Sequence, residues 1–254
     1  MALQERALRT RANLIRAAAQ VFDRVGYQRA TLMTISEQAE VTKGGLSFHF
    51  TTKSELAQAV QIEACAISAA VLEDLADRPG PALDIVVDMA HALAGLLHND
   101  VVVRAGARLA QEVETPEDPA LHSQLYWLST LHRTLCRASG DGSLADGTDV
   151  RSAAALVMSV TMGAEMLARM PYQHAFGQPQ PEEGQQESPQ QWLSRVWRVL
   201  RPVLAGAPTG PGGHRPAATP NGHARSPMNR ATVHAVAASA GVPAVSAIPA
   251  QGVR

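Results

Sequence analysis

Lysine is nearly missing from this chain. Lys43 and Lys53 are the only two, against twenty arginines in 254 residues. Cysteine is as scarce, with Cys65 and Cys136 alone, so a disulfide framework is excluded and reduced thiols in a cytoplasmic protein are expected. Aromatic residues make up 4%, too few for an aromatic-rich β-sandwich. No apolar run reaches the ~20 residues of a membrane span. Residues 1 to 6 lack the apolar middle of a signal peptide. Catalytic motifs are missing too: there is no Gly-x-Ser-x-Gly, no His-Glu-x-x-His and no Gly-Lys-Ser/Thr phosphate loop. The nine histidines do not pair with cysteines or carboxylates at metal spacing. Asp141, Asp146 and Asp149 share a loop, but their spacing fails the calcium pattern. No enzyme activity, metal or cofactor is therefore expected.

Alanine and leucine are abundant, and the apolar residues recur at helical spacing. Residues 7 to 25 place Leu8, Ala12, Ile15, Ala19 and Phe22 on one face, with Gly26 as the stop. Thr31 caps a short second helix whose inner face is Leu32, Ile35 and Ala39. A longer helix runs from Lys53 to about Asp77. Further patterns cover about 82 to 98, 101 to 112, 119 to 138, 149 to 169 and 189 to 204. The expected fold is all-α. Its divisions are an N-terminal unit over 1–52, a helical body over 53–205 and a Pro/Gly/Ala-rich tail over 206–254. That tail cannot bury enough surface to offset its ordering entropy and is expected to be disordered. Within it, residues 232 to 246 resemble a degraded copy of the helix-turn-helix that opens lactose-repressor-type proteins.

Charge follows the same division. Residues 1–56 carry eight Lys/Arg against five Asp/Glu, residues 57–205 ten against eighteen, and the tail four arginines with no acid. A basic head on an acidic body suits contact with DNA at one end only, although an ordinary solvated face would look similar.

Both lysines lie within the segment from Val41 to Lys53. Thr42 is a good N-cap, and Lys43, Gly44 and Gly45 open a helix whose first amides have no partner inside it. A phosphate suits that place, because free amides, the helix dipole and Lys43 all favour an anion. Thr52-Lys53-Ser54-Glu55 reads as a capping box opening the next helix, which gives Lys53 a second phosphate site. Glu40-Val41 leaves room only for a tight turn. Helix, tight turn and helix over a supporting first helix is a helix-turn-helix, whose second member enters the major groove.

The residues Gly26-Tyr27, Thr31, Ile35, Ala39, Val41-Thr42-Lys43-Gly44, Leu46, Phe48-His49-Phe50 and Lys53-Ser54-Glu55-Leu56 resemble the N-terminal domain of tetracycline-repressor-type regulators. That resemblance implies DNA contacts from Arg9, Thr31, Thr42, Lys43, Gly44, Gly45, Ser47, Phe48, His49 and Lys53. Two positions depart from the family pattern: Ser47 replaces a tyrosine, and Glu40 replaces a glycine where the turn needs positive φ. Farther on, Val102-Val103-Arg104-Ala105-Gly106-Ala107-Arg108-Leu109 and Trp127 resemble the γ-butyrolactone autoregulator receptors of the Streptomyces kind. Members of that subgroup are dimeric repressors that leave double-stranded operators when a lactone or butenolide enters the body.

A ligand pocket then implicates Trp127, with Thr161 as a facing hydroxyl and Met89, Leu93, Met158 and Met162 as soft apolar walls. The same residues also fit plain core, since Leu125, Leu128, Leu131 and Leu135 share the helix of Trp127. The faces Ala153, Leu156, Val160, Ala164, Leu167 and Trp192, Val196, Val199, Val203 correspond to the family's four-helix homodimer interface. The helix from Lys53 is read as the one continuous link between head and body. The resemblance implies a ligand-released repressor of secondary metabolism with no membrane partner. An alternative within the same fold is a pseudo-receptor that senses an antibiotic or another partner and binds DNA weakly.

Overall fold

A computed structural model describes residues 2–113, 122–168 and 188–205. The described residues form nine helices and no strand: α1 (Ala2–Arg29), α2 (Leu32–Gln38), α3 (Lys43–His49), α4 (Lys53–Ala76), α5 (Ala82–Asn99), α6 (Val101–Glu112), α7 (Ser123–Gly140), α8 (Val150–Ala168) and α9 (Pro189–Leu204). The fold is all-α, with an N-terminal helix-turn-helix and a helical body. The tail from 206, including the repressor-like segment 232–246, lies outside the described residues, as does the loop from 177 to 187.

Two apolar cores organise the chain. The first gathers Leu14, Ile15, Ala18 and Phe22 of α1, Ile35 of α2, Leu46 and Phe50 around α3, Leu56, Val60 and Ala64 of α4, and Val102, Ala105 and Leu109 of α6. The second joins the remainder of α4 to α5, α7, α8 and α9 around Met89, Leu93, Trp127, Leu131, Val157, Leu193 and Trp197. Ile67 packs against both. The inner face of α1 read in the sequence holds at Ile15, Ala19 and Phe22, all buried, and fails at its N-terminal end. Leu8 is exposed and Ala12 lies outside, because α1 extends beyond the body of helices it packs on.

By length and composition, α4 and α8 are each apolar enough to cross a bilayer, where the sequence reading found no such run. A different cause explains each helix. Contacts with α1, α5, α6 and α7 surround α4, and a helix enclosed by protein can be apolar all round. In α8 only 33% of the apolar window is buried, which leaves Leu156 and Met166 in solvent.

Remote groups finish several helix ends. Pro81 precedes α5 and offers no side-chain cap. Asp141 Oδ2 instead accepts from Ala82 N at 2.8 Å, and Ser143 Oγ accepts from Leu83 N at 3.1 Å. The loop read as merely solvated therefore caps α5 from 59 residues away. One residue, Asp100, separates α5 from α6 at a 95° bend. Its carboxylate caps α6 through Val102 N and Val103 N.

Candidate functional site

The helix-turn-helix unit is built on local caps. Thr31 Oγ1 accepts from Thr34 N, and Thr34 returns a contact to Thr31 N, closing a capping box. Thr42 Oγ1 accepts from Gly45 N at 3.1 Å to start α3. Thr52 Oγ1 accepts from Glu55 N, while the Glu55 carboxylate reaches one residue further back than a capping box requires, to Thr51 N at 2.8 Å. Between α2 and α3, Val41 N bonds to Ser36 O and Glu40 N to Glu37 O, a Schellman closure. Glu40 occupies its left-handed position at φ 55, alone among the described non-glycine residues. A side chain there strains the backbone by about 1 kcal/mol relative to glycine.

The outward face of α3 carries Lys43, Gly44, Ser47 and Phe48, all exposed, with Gly45 and His49 half-buried beside them and Leu46 pointing into the core. Arg9, near the chain terminus, pairs with Glu5 at 2.7 Å. Both groups are exposed, so the pair is weak and exchangeable. Arg11 stacks over Phe50 at 5.2 Å.

Lys53 departs from the sequence expectation. Its ammonium donates to Tyr27 O at 2.9 Å and Ala30 O at 3.1 Å, and lies 4.3 Å from the Tyr27 ring centre. These carbonyls end the first helix and need donors, so the charge is spent inside the head. Lys43 has no such anchor among the described interactions.

The link between head and body also differs from the expected single helix. α6 packs on α1 as well as on α4. Gly106 lies so close to Ala64 that a Cβ would overlap the alanine methyl. Arg104 Nε pairs with Asp23 Oδ2 at 2.9 Å, and Arg108 Nη1 donates to Asp23 O at 2.7 Å. Glu112 Oε2 accepts from Tyr27 N at 2.6 Å while its other oxygen pairs with Arg108. Partial burial raises the Glu112 pKa, but the Arg108 hydrogen bond, the Tyr27 amide and the Arg108 charge outweigh it and hold the carboxyl below its ordinary value. All of this converges on Gly26 (φ 79), where a Cβ would meet Arg108 and Glu112 at 2.7 to 3.0 Å. Arg104, Arg108 and Glu112, four residues apart on one helix face, are thus the physical content of the motif around Gly106. Their role had no signal in sequence, because the partners lie 81 to 85 residues away.

In the body, Trp127 is fully buried, and its indole Nε1 makes no hydrogen bond with the protein. Trp197 Nε1 on α9 also lacks one among the described residues, and the buried Thr130 hydroxyl on the Trp127 helix faces the Tyr126 phenol. Sequence reasoning passed over Thr130, although it lies three residues beyond Trp127 on the same face. Thr161 is buried as expected, with its hydroxyl donating to Val157 O at 2.7 Å. Its oxygen retains acceptor capacity only. Met89 and Leu93 are fully buried, while Met158 and Met162 pack half-buried against the same core. Leu125 is exposed, so it is not part of the alternative core around Trp127.

Next to Trp127, Tyr126 donates to Glu73 Oε1 at 3.0 Å, tying α7 to α4. Burial, then the Glu73 charge, pushes the phenol up to about 12, so it stays protonated and donating. Arg137 adds a second tie at Ala76 O, 2.6 Å. Burial also pushes the Cys65 thiol up to about 12, which makes it inert. Among the described residues no cluster of histidine, cysteine or carboxylate could hold a metal ion.

The pattern of bacterial regulatory proteins of the tetR family matches residues 14–60. The A-factor receptor protein of Streptomyces griseus is 29% identical over 205 residues, covering 81% of this chain and 67% of that protein. The crystal structure of a gamma-butyrolactone receptor, described as ArpA-like, shares 33% identity over 76% of this chain and 99% of its own, with a TM-score of 0.58. CprB of Streptomyces coelicolor, a TetR-family protein solved in complex with its biological operator sequence, shares 30% identity over 79% of this chain and 90% of its own, at a TM-score of 0.63.

Proposed function

Because the chain belongs to the TetR family of bacterial transcriptional regulators and resembles its A-factor and γ-butyrolactone receptors, we propose that it is a dimeric cytoplasmic repressor released from its operator by a γ-butyrolactone or butenolide. Its relatives are DNA-binding regulators, not enzymes. The observation that carries the ligand half of the reading is the buried, unpartnered indole N–H of Trp127. A buried donor without an acceptor carries a desolvation penalty of about 1–3 kcal/mol. A lactone carbonyl would remove that penalty, and an alkyl tail would suit Met89, Leu93, Met158 and Met162. The neutral hydroxyls of Thr130 and Thr161 can orient a polar, uncharged head.

The DNA half rests on α3, with Lys43 and Thr42 at the phosphate backbone and Gly45, Ser47 and His49 toward the bases. Two such heads must meet half-sites about one helical turn or a multiple apart. Dimerisation is supported by Val199 and Val203 of α9, 71% and 72% exposed, together with Leu156 and Met166 of α8.

Release follows from the two ties between body and head. Ligand entry at Trp127 moves α7, and the Tyr126–Glu73 and Arg137–Ala76 bonds pass that movement to α4. The α6 arginines hold α1 to the same frame, so both heads change spacing. A ligand that binds the spread state ~100-fold better supplies about 2.7 kcal/mol to this equilibrium.

A mobility-shift experiment with full-length protein and its own upstream region tests the reading. A shift reversed by a lactone series supports it, and a shift insensitive to every lactone removes the ligand assignment. Glu40 and Ser47 favour a second reading, a pseudo-receptor with weak operator affinity, and the absence of any shift would select it.

A further inference from the structure

Phe48 is the most exposed large apolar residue described, at 81%. His49 meets it edge-on, with centroids 5.1 Å apart and planes at 88°. One turn earlier on the same face lies Gly44. A Cβ added there would meet no atom within 4 Å, and the residue has no positive φ. Neither packing nor backbone conformation therefore requires glycine at this position, although glycine costs a helix about 1 kcal/mol relative to alanine. Side chains on a helix lean toward its N-terminus, so residue 48 leans over residue 44. The phenyl ring and the bare backbone at Gly44 thus share one face of α3, with open space over the backbone that forms a notch a small apolar group can enter.

Resting on the DNA-binding reading above, we propose that this notch receives the 5-methyl group of a thymine, making Phe48 and Gly44 determinants of operator sequence. The chemistry singles out that occupant. Phenylalanine has no hydrogen-bonding group, and the thymine methyl is the one apolar feature among the base edges of the major groove. Lys43, exposed on the same helix face, supplies the charge that brings a polyanion to the notch. Filling the notch with a Cβ at residue 44 would keep the methyl from reaching the floor while improving the helix itself.

The test uses full-length protein and a duplex enriched by it from a random pool, with each thymine replaced in turn by uracil. That exchange removes the methyl and leaves base pairing intact. In the wild type, uracil at one thymine per half-site weakens binding about threefold to fivefold, the value of one buried methyl, and elsewhere changes it little. Phe48→Ala is indifferent to uracil at that position. Gly44→Ala raises the melting temperature yet loses the same discrimination, so its effect cannot come from misfolding. Uracil tolerated at every position by a wild type that still shifts the duplex overturns the inference and leaves the DNA-binding reading standing. Persistence of the uracil effect in Phe48→Ala also overturns it. If no duplex is enriched, the DNA-binding reading itself fails, and the inference with it.

Discussion

The two cores treat buried polar atoms differently. Around the first, buried Ser36 bonds to Met33 O, while nearer the surface Thr31 and Thr42 cap their helices and Lys53 closes the end of α1 from 26 residues away. Among the described residues around it, Gln61 Nε2 on α4 is left over. The second core leaves the indole N–H groups of Trp127 and Trp197 unused among apolar side chains. The bonds of the head hold α2 and α3 in one arrangement, as the proposed contact with DNA requires. The unused indole donors of the body are what the proposed ligand would engage, and that contrast is the physical argument for placing it there.

The seam between the cores should be the most sensitive place. Gly106→Ala puts a methyl on Ala64 and forces α6 off α4, so a loss of about 2 kcal/mol is expected in urea unfolding, together with head and body melting apart. A cooperative single transition at unchanged stability would argue that the two regions do not communicate there. Within the body, Asp141→Ala removes the remote cap of α5 and should lower stability by about 1–2 kcal/mol. Asp141→Asn, which keeps an acceptor oxygen, should restore much of it.

Within the head, Glu40→Gly should have the opposite sign. Relief of the left-handed strain adds about 1 kcal/mol, and loss of the carboxylate should also tighten operator binding. A neutral or destabilising effect would mean that the turn has adapted to glutamate. The smallest expected effect separates the two lysines. Lys43→Ala should reduce the salt slope of DNA binding by about one phosphate contact. Lys53→Ala should instead lower the melting temperature through the freed α1 carbonyls, with the slope unchanged. Equal slopes for both variants would restore Lys53 as a phosphate grip.

What the sequence made legible was whatever is decided within one or two turns. Thr31, Thr42 and Thr52 announced their helices because a cap and its amide are three residues apart, and α4, α6 and α9 begin at residues 53, 101 and 189, where their helical patterns began. Glu40 was readable as a strained turn through the resemblance, whose members carry glycine there. The long-range closures were not: Lys53 to α1, Asp141 to α5 and the α6 arginines to Asp23 join residues too far apart to leave a periodic trace. Trp127 could be named but not judged, since a satisfied core tryptophan and an unsatisfied one have the same neighbours in sequence. Only the fold distinguishes them.

The account turns on that one indole. Its direct test is operator affinity with and without a γ-butyrolactone panel, measured side by side for the wild type and Trp127→Phe. The prediction is a release of ~100-fold in the wild type, with Trp127→Phe holding the operator as tightly but refusing release. Equal release in both proteins would contradict the claim that the buried donor of Trp127 is where the signal is read.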